Sequence, residues 1–102
     1  MIRTKVDLDV DEEALLALLS PHAREVLERE ARAARAGEVN GRSFTEWVPD
    51  VKELKRAGRW REAESLLIQL CRAAEAWGLE SGYGTPPWYG DQLRIVRKKG
   101  KL

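Results

Sequence analysis

A run of apolar residues at helical spacing dominates the middle of the chain. It consists of Ala63, Leu66, Leu67, Leu70, Ala73 and Ala74, which recur on one face of a helix, and glycines stand on both sides of it, at 58 and 78. Glycine is the usual residue just past a helix end. We therefore predict a helix from about Trp60 to Trp77. A chain of 102 residues has room for one core, so residues 1–102 are expected to form a single, mainly α domain.

Two further helices are predicted in residues 11–37. Asp11 begins the first, with acidic residues in its first turn. Ser20-Pro21 begins the second, because serine caps helices well and proline loses no hydrogen bond at the first helical position. Gly37 ends it. After Leu27 the apolar stripe of this helix contains only alanine, so it should be largely exposed.

Glycine and proline divide the rest of the chain. Residues 37–43 (GEVNGRS) are predicted to be a linker. Ser43 and Glu46 have the spacing of a capping box, but Pro49 would interrupt a helix that starts there, so a short turn before a helix from about Pro49 to Ala57, which Gly58 ends, is an equal alternative. Gly78 should end the long helix, and Thr85-Pro86 should open a last helical segment that ends near Gly100.

Residues 2–11 alternate between one parity that is mostly apolar and another that is charged, which is the period of a half-buried strand, and residues 1–10 are taken as the N-terminal arm. This N-terminal segment could be an extended arm on the helices, an edge strand paired with the other end of the chain, or a strand paired with a second copy in a homodimer. If residues 92–98 form a strand against residues 3–10, the fold becomes α+β, an alternative that Ile95-Val96 would suit.

Residues 47–59 and 89–101 share a pattern at a spacing of 42 residues. Trp47 aligns with Tyr89, Val51 with Leu93, Leu54 with Val96, and Gly58 with Gly100. This recurrence suggests an internal repeat of a helix followed by a glycine turn.

Residues 44–102 resemble a degenerate tetratricopeptide-type helical hairpin. The positions that carry the resemblance are Trp47, Leu54, Gly58, Trp60, Ala63 and Leu67. The sequence departs from the pattern at Asp50-Val51 and at Glu75, where leucine-glycine and proline are expected. The resemblance implies that the first helix of each pair lines a concave groove.

The groove positions that the resemblance implies are all basic: Lys52, Lys55, Arg56, Arg94, Arg97 and Lys98. Such a groove would bind an acidic segment or a C-terminal carboxylate of a partner protein. The alternative is that these cations only keep exposed helix faces soluble. Trp88 and Tyr89 are added as partner-binding candidates, since at least one of Trp77, Trp88 and Tyr89 should be partly exposed.

Nothing in the sequence indicates an enzyme, a metal site or a cofactor. The chain has one histidine, His22, and one cysteine, Cys71, with no motif that unites them. Cys71 lies among leucines and alanines at helical spacing, where a small buried side chain is expected. Without a signal peptide or a long apolar run, the protein is predicted to be cytoplasmic and not bound to membranes.

The sequence thus favours a small non-enzymatic protein-interaction module or adaptor that binds a protein of unknown identity. One alternative is a nucleic-acid-binding regulator that uses the basic C-terminal segment, which has Arg94, Arg97, Lys98, Lys99 and Lys101 after Asp91. Another is an inhibitor protein from a mobile element. Binding to phosphates should weaken steeply with salt, which distinguishes the nucleic-acid alternative.

Overall fold

The computed structural model of the protein describes residues 20–102. These form α1 (Pro21–Ala36), β1 (Glu38–Val39), β2 (Arg42–Ser43), a 3-10 helix (Phe44–Trp47), α2 (Val48–Arg56), α3 (Trp60–Ser81) and α4 (Trp88–Gly100). Helices account for 77% of this part of the chain, which confirms the prediction of a mainly α fold. The arm predicted over residues 1–10 and the helix predicted from Asp11 lie outside the described residues.

Helix α3 is the centre of the structure, and α1, α2 and α4 all pack against it. Its apolar face matches the predicted one: Ala63, Leu67, Leu70 and Ala74 have no solvent exposure at all. Burying one leucine side chain stabilises the folded state by about 1.5–3 kcal/mol. The alanines allow neighbouring backbones to approach α3 closely.

Helix α1 begins and ends where the sequence predicts. The Ser20 hydroxyl accepts a hydrogen bond from the Ala23 amide at 3.1 Å, Pro21 is the first helical residue, and Gly37 follows the last. Ala33 is the only buried residue of α1, while Val26 and Leu27 stay exposed. The prediction of a largely exposed helix is confirmed.

The predicted linker over residues 37–43 is wrong, because this segment is a packed β-hairpin. Glu38 pairs with Ser43 and Val39 with Arg42. The turn residues Asn40 and Gly41 both have positive φ, 50° and 79°, as a two-residue Asn-Gly hairpin turn requires. The Trp47 indole nitrogen donates a hydrogen bond to the Val39 carbonyl oxygen at 2.9 Å, which ties the hairpin to the start of α2.

Helices α2 and α3 form a helical hairpin. The predicted short turn before α2 is the 3-10 helix, and the chain reverses at Gly58, whose φ of 72° favours glycine. Val51 of α2 and Ala63 of α3 are fully buried in the shared core. The tetratricopeptide resemblance of this hairpin stays a prediction.

The predicted end of α3 at Gly78 is wrong, since the helix continues to Ser81 and ends at Gly82, with φ of 82°. Glycine is needed at position 78 for a different reason. A Cβ atom there would lie 2.5 Å from the carbonyl carbon of Gly84. The loop after α3 folds back onto the helix at this point, and only glycine leaves space for its backbone.

Helix α4 differs from its prediction at one end only. It begins at Trp88 without a side-chain cap, so the predicted opening at Thr85-Pro86 is wrong, whereas its end at Gly100 is confirmed. Residues 92–98 lie inside this helix. The α+β alternative with a strand over 92–98 is therefore wrong.

Substitution of two glycines by alanine should have opposite effects on stability. Gly78→Ala places a methyl group against the Gly84 backbone, so it should lower the free energy of unfolding by about 1–3 kcal/mol. Gly90→Ala, in α4, meets no atom within 4 Å and should raise it by about 0.5–1 kcal/mol. Urea unfolding followed by circular dichroism measures both. A Gly78→Ala protein as stable as the parent would contradict the close packing of the loop on α3.

Candidate functional site

Helices α2 and α4 both pack on α3, and a side-chain hydrogen bond connects them. The Lys55 ammonium of α2 donates a hydrogen bond to the Gln92 side-chain oxygen of α4. Gln92 therefore identifies the side of α4 that faces α2. We define the α2–α4 groove by Lys52, Lys55, Trp88, Gln92, Ile95 and Lys99.

Helical spacing explains this set of residues. Trp88, Ile95 and Lys99 are three or four positions from Gln92 or from each other, so they line the same side of α4. On α2, Lys52 is three residues before Lys55 and shares its side. Trp88 is half-buried, and Lys52, Ile95 and Lys99 are exposed.

The structure divides the six basic residues that the sequence singled out. Lys52 and Lys55 lie in the groove, and Arg56 and Arg94 form ion pairs within their own helices, with Glu53 and Asp91. Arg97 donates to Glu64 of α3 at 2.8 Å. Arg97 is five positions after Gln92, an offset that rotates it by roughly 140° around the helix. Arg97 therefore faces away from α2.

Lys98 completes the set, and it lies outside the groove. It is exposed and lines a shallow depression with Asp91, Arg94 and Ile95. Sequence reasoning missed Gln92, Ile95 and Lys99 as groove residues. These residues follow Trp88 at intervals of three or four positions, which is the sequence signal that links them. The signal identifies the side that faces α2 only when the Lys55–Gln92 contact has fixed the orientation of α4.

An apolar cleft of about 590 Å³ opens at the end of the groove where α2 and α4 begin. It is lined by Ser43, Phe44, Thr45, Val48, Trp77, Pro86, Trp88 and Tyr89, and we call it the aromatic cleft. None of these side chains is charged. Its volume falls within the range of about 300–1,000 Å³ that is typical of ligand clefts.

Aromatic rings form the walls of this cleft. The Trp88 and Tyr89 rings are 5.0 Å apart at an angle of 83°, and Phe44 contacts Tyr89 edge-on at 5.2 Å. Tyr89 is only 5% exposed, whereas Trp77 and Trp88 are half-buried. The expected partial exposure among these aromatic residues is thus confirmed. Burial raises the pKa of the Tyr89 hydroxyl, which keeps it protonated.

The residues considered for catalysis do not come together. His22 is exposed on α1, and Cys71 is a half-buried free thiol on α3. Burial raises the pKa of the Cys71 thiol, nearby Glu75 raises it further, and Arg97 acts in the opposite direction. Between Ser20 and Leu102, no three histidine, cysteine or acidic residues are grouped to hold a metal ion. No helix in that range is long and apolar enough to cross a membrane.

The reactivity of Cys71 should follow these charges. Because its pKa is raised, the thiol is protonated at neutral pH, and alkylation by iodoacetamide should speed up only as the pH rises above the ordinary thiol range. At a fixed alkaline pH, Glu75→Gln should increase the rate and Arg97→Gln should decrease it. Mass spectrometry of the alkylated protein over time measures the rate. Equal rates in both variants would contradict the assigned causes.

The α2–α4 groove and the aromatic cleft meet at Trp88, and together they form the candidate functional site. One part offers lysine ammonium groups and the other offers uncharged aromatic surface. Comparisons of the chain with protein-family models, with curated proteins and with solved structures found no match. A function for the protein is therefore inferred from the chemistry of this site.

Proposed function

We propose that the protein is a non-enzymatic interaction module that binds an acidic segment of a partner protein through the α2–α4 groove. The observation that carries the proposal is the hydrogen bond between Lys55 and Gln92, which connects the two helices on one side. Lys52 and Lys55 of α2 lie towards the side of α4 that carries Gln92, and Lys99 lies on that same side of α4, two turns further along.

The charges of the groove support a ligand that carries carboxylates. In residues 20–102, Lys52, Lys55 and Lys99 form no salt bridge, while Arg56, Arg94 and Arg97 each have an acidic partner. The groove as defined contains no acidic residue. Hydrogen bonds between ammonium groups and carboxylates are charge-assisted and stronger than neutral ones, so side-chain or C-terminal carboxylates would bind there.

The basic C-terminal segment gives less support to a nucleic-acid ligand. Arg94 and Arg97 are held by Asp91 and Glu64. Lys98 occupies the last turn of α4, where cations stabilise the negative end of the helix dipole. These three charges therefore have partners or a stabilising role within the fold, and DNA binding serves as one outcome of the test below.

Charge reversal in the groove should weaken binding of an acidic peptide. The probes are a fluorescein-labelled oligoglutamate peptide and a short labelled DNA duplex, followed by fluorescence anisotropy. The double variant Lys52→Glu and Lys99→Glu should reduce affinity for the peptide by about tenfold or more, a loss of roughly 1.4 kcal/mol. The matched control is Arg24→Glu with Arg29→Glu, which changes the net charge equally on exposed α1 and should leave the affinity unchanged.

Three results would contradict the proposal. The first is an equal loss in the control variant, because binding would then depend on net charge alone. The second is no measurable binding of the peptide by the parent protein. The third is tighter binding to DNA with a steep decrease as salt rises, which is the signature of phosphate contacts. Circular dichroism of each variant verifies that the helices are retained.

A further inference from the structure

We infer that the aromatic cleft takes a proline of the same bound segment, so that the protein recognises an acidic sequence adjoining proline. This inference rests on the proposed function, because it extends the peptide from the α2–α4 groove into the cleft. The groove lysines alone would bind an acidic segment and do not by themselves predict a proline site in the cleft.

The groove and the cleft are continuous along both helices. Val48 lines the cleft, and Lys52 lies one helical turn further along α2. Trp88 lines the cleft, and Gln92 lies one turn further along α4. One turn advances about 5.4 Å, so neighbouring residues of one extended segment can occupy both parts.

The cleft favours an uncharged, apolar occupant. All eight lining residues are neutral, and the polar side chains of Ser43 and Thr45 are 3.0 Å apart and hydrogen-bonded to each other. A carboxylate would find no cation in the cleft, whereas the groove offers lysine ammonium groups. The acidic residues of the segment therefore suit the groove and a neutral residue suits the cleft.

Three polar groups of the cleft aromatics are free to bind a peptide backbone. Within residues 20–102, the indole nitrogens of Trp77 and Trp88 and the hydroxyl of Tyr89 donate no hydrogen bond, whereas Trp47 outside the cleft donates to Val39. Because no side-chain polar atom in this part of the chain is buried without a partner, these three donors are open to solvent and a ligand can reach them. Backbone carbonyl oxygens of a ligand are the acceptors that would suit these donors.

Proline matches both properties of the cleft. Its ring is flat and apolar and packs on aromatic surfaces, as in the aromatic grooves that recognise proline-rich segments. A polyproline II segment makes no internal hydrogen bonds, so its carbonyl oxygens remain available to the free donors. Its extended form is also largely set before binding, which lowers the entropy cost of association.

Selection from a library of random peptides displayed on phage tests this inference with the full chain as bait. The parent protein should enrich peptides in which acidic residues adjoin a proline. Thr45→Arg places a bulky side chain at the exposed rim of the cleft without removing a core residue, and it should still enrich acidic peptides but without the proline. Leu79→Arg is the matched control, since Leu79 is 86% exposed and lines neither part of the site.

The outcomes separate the two proposals. Acidic peptides without proline from the parent protein, or proline that persists with Thr45→Arg, would overturn the inference and leave the proposed function intact. Proline-containing peptides without acidic residues, or no enrichment at all, would overturn the proposed function itself.

A selected peptide, once synthesised, gives a second readout by titration calorimetry. Replacing its proline by alanine should weaken binding to the parent protein by about tenfold. The same replacement should have little effect on binding to the Thr45→Arg protein. An equal loss in both proteins would overturn the placement of proline in the cleft.

Discussion

The buried face of α3 is the constraint on which the remaining structure depends. Leu67 and Leu70 supply the apolar surface of α3. The small side chains of Ala63 and Ala74 allow the neighbouring helices to approach α3 closely. Because α2 and α4 both pack on this one helix, their neighbouring sides meet, and Lys55 reaches Gln92. The groove is therefore a product of core packing, although Lys52 and Lys99 are exposed and Lys55 and Gln92 are only half-buried.

Much of this architecture could be predicted from local signals, and the failures have identifiable causes. Helical spacing predicts α3, and Ser20-Pro21 with Gly37 predicts both ends of α1. Gly78 misleads because its role is tertiary: it admits the Gly84 backbone, and this contact joins residues on either side of a turn. The hairpin, by contrast, was readable from Asn40-Gly41, a dipeptide typical of two-residue turns.

The candidate site was less predictable than the fold. Spacing identifies Lys52 and Lys55 as exposed on α2, yet a helix has two flanks beside its buried stripe. Sequence alone does not tell which flank meets a neighbour. On α4 the buried stripe passes through Val96, and the flank with Gln92 faces α2 while the flank with Arg97 faces α3. The cleft could not be predicted either, because its walls come from three separate segments, residues 43–48, 77 and 86–89.

The sparse burial of α1 has a consequence for how the protein opens. With Ala33 as its one buried side chain, α1 contributes little of the core, whereas α2, α3 and α4 share the fully buried residues. Structures open in cooperative units whose free energies follow such differences. Amide protons of α1 should therefore exchange with solvent long before those of α3. Local detachment of α1 would leave the hydrogen bond between α2 and α4 in place, but Gly37 at the end of α1 adjoins Phe44 and Trp77 of the cleft, so opening of this helix reaches the cleft through that glycine.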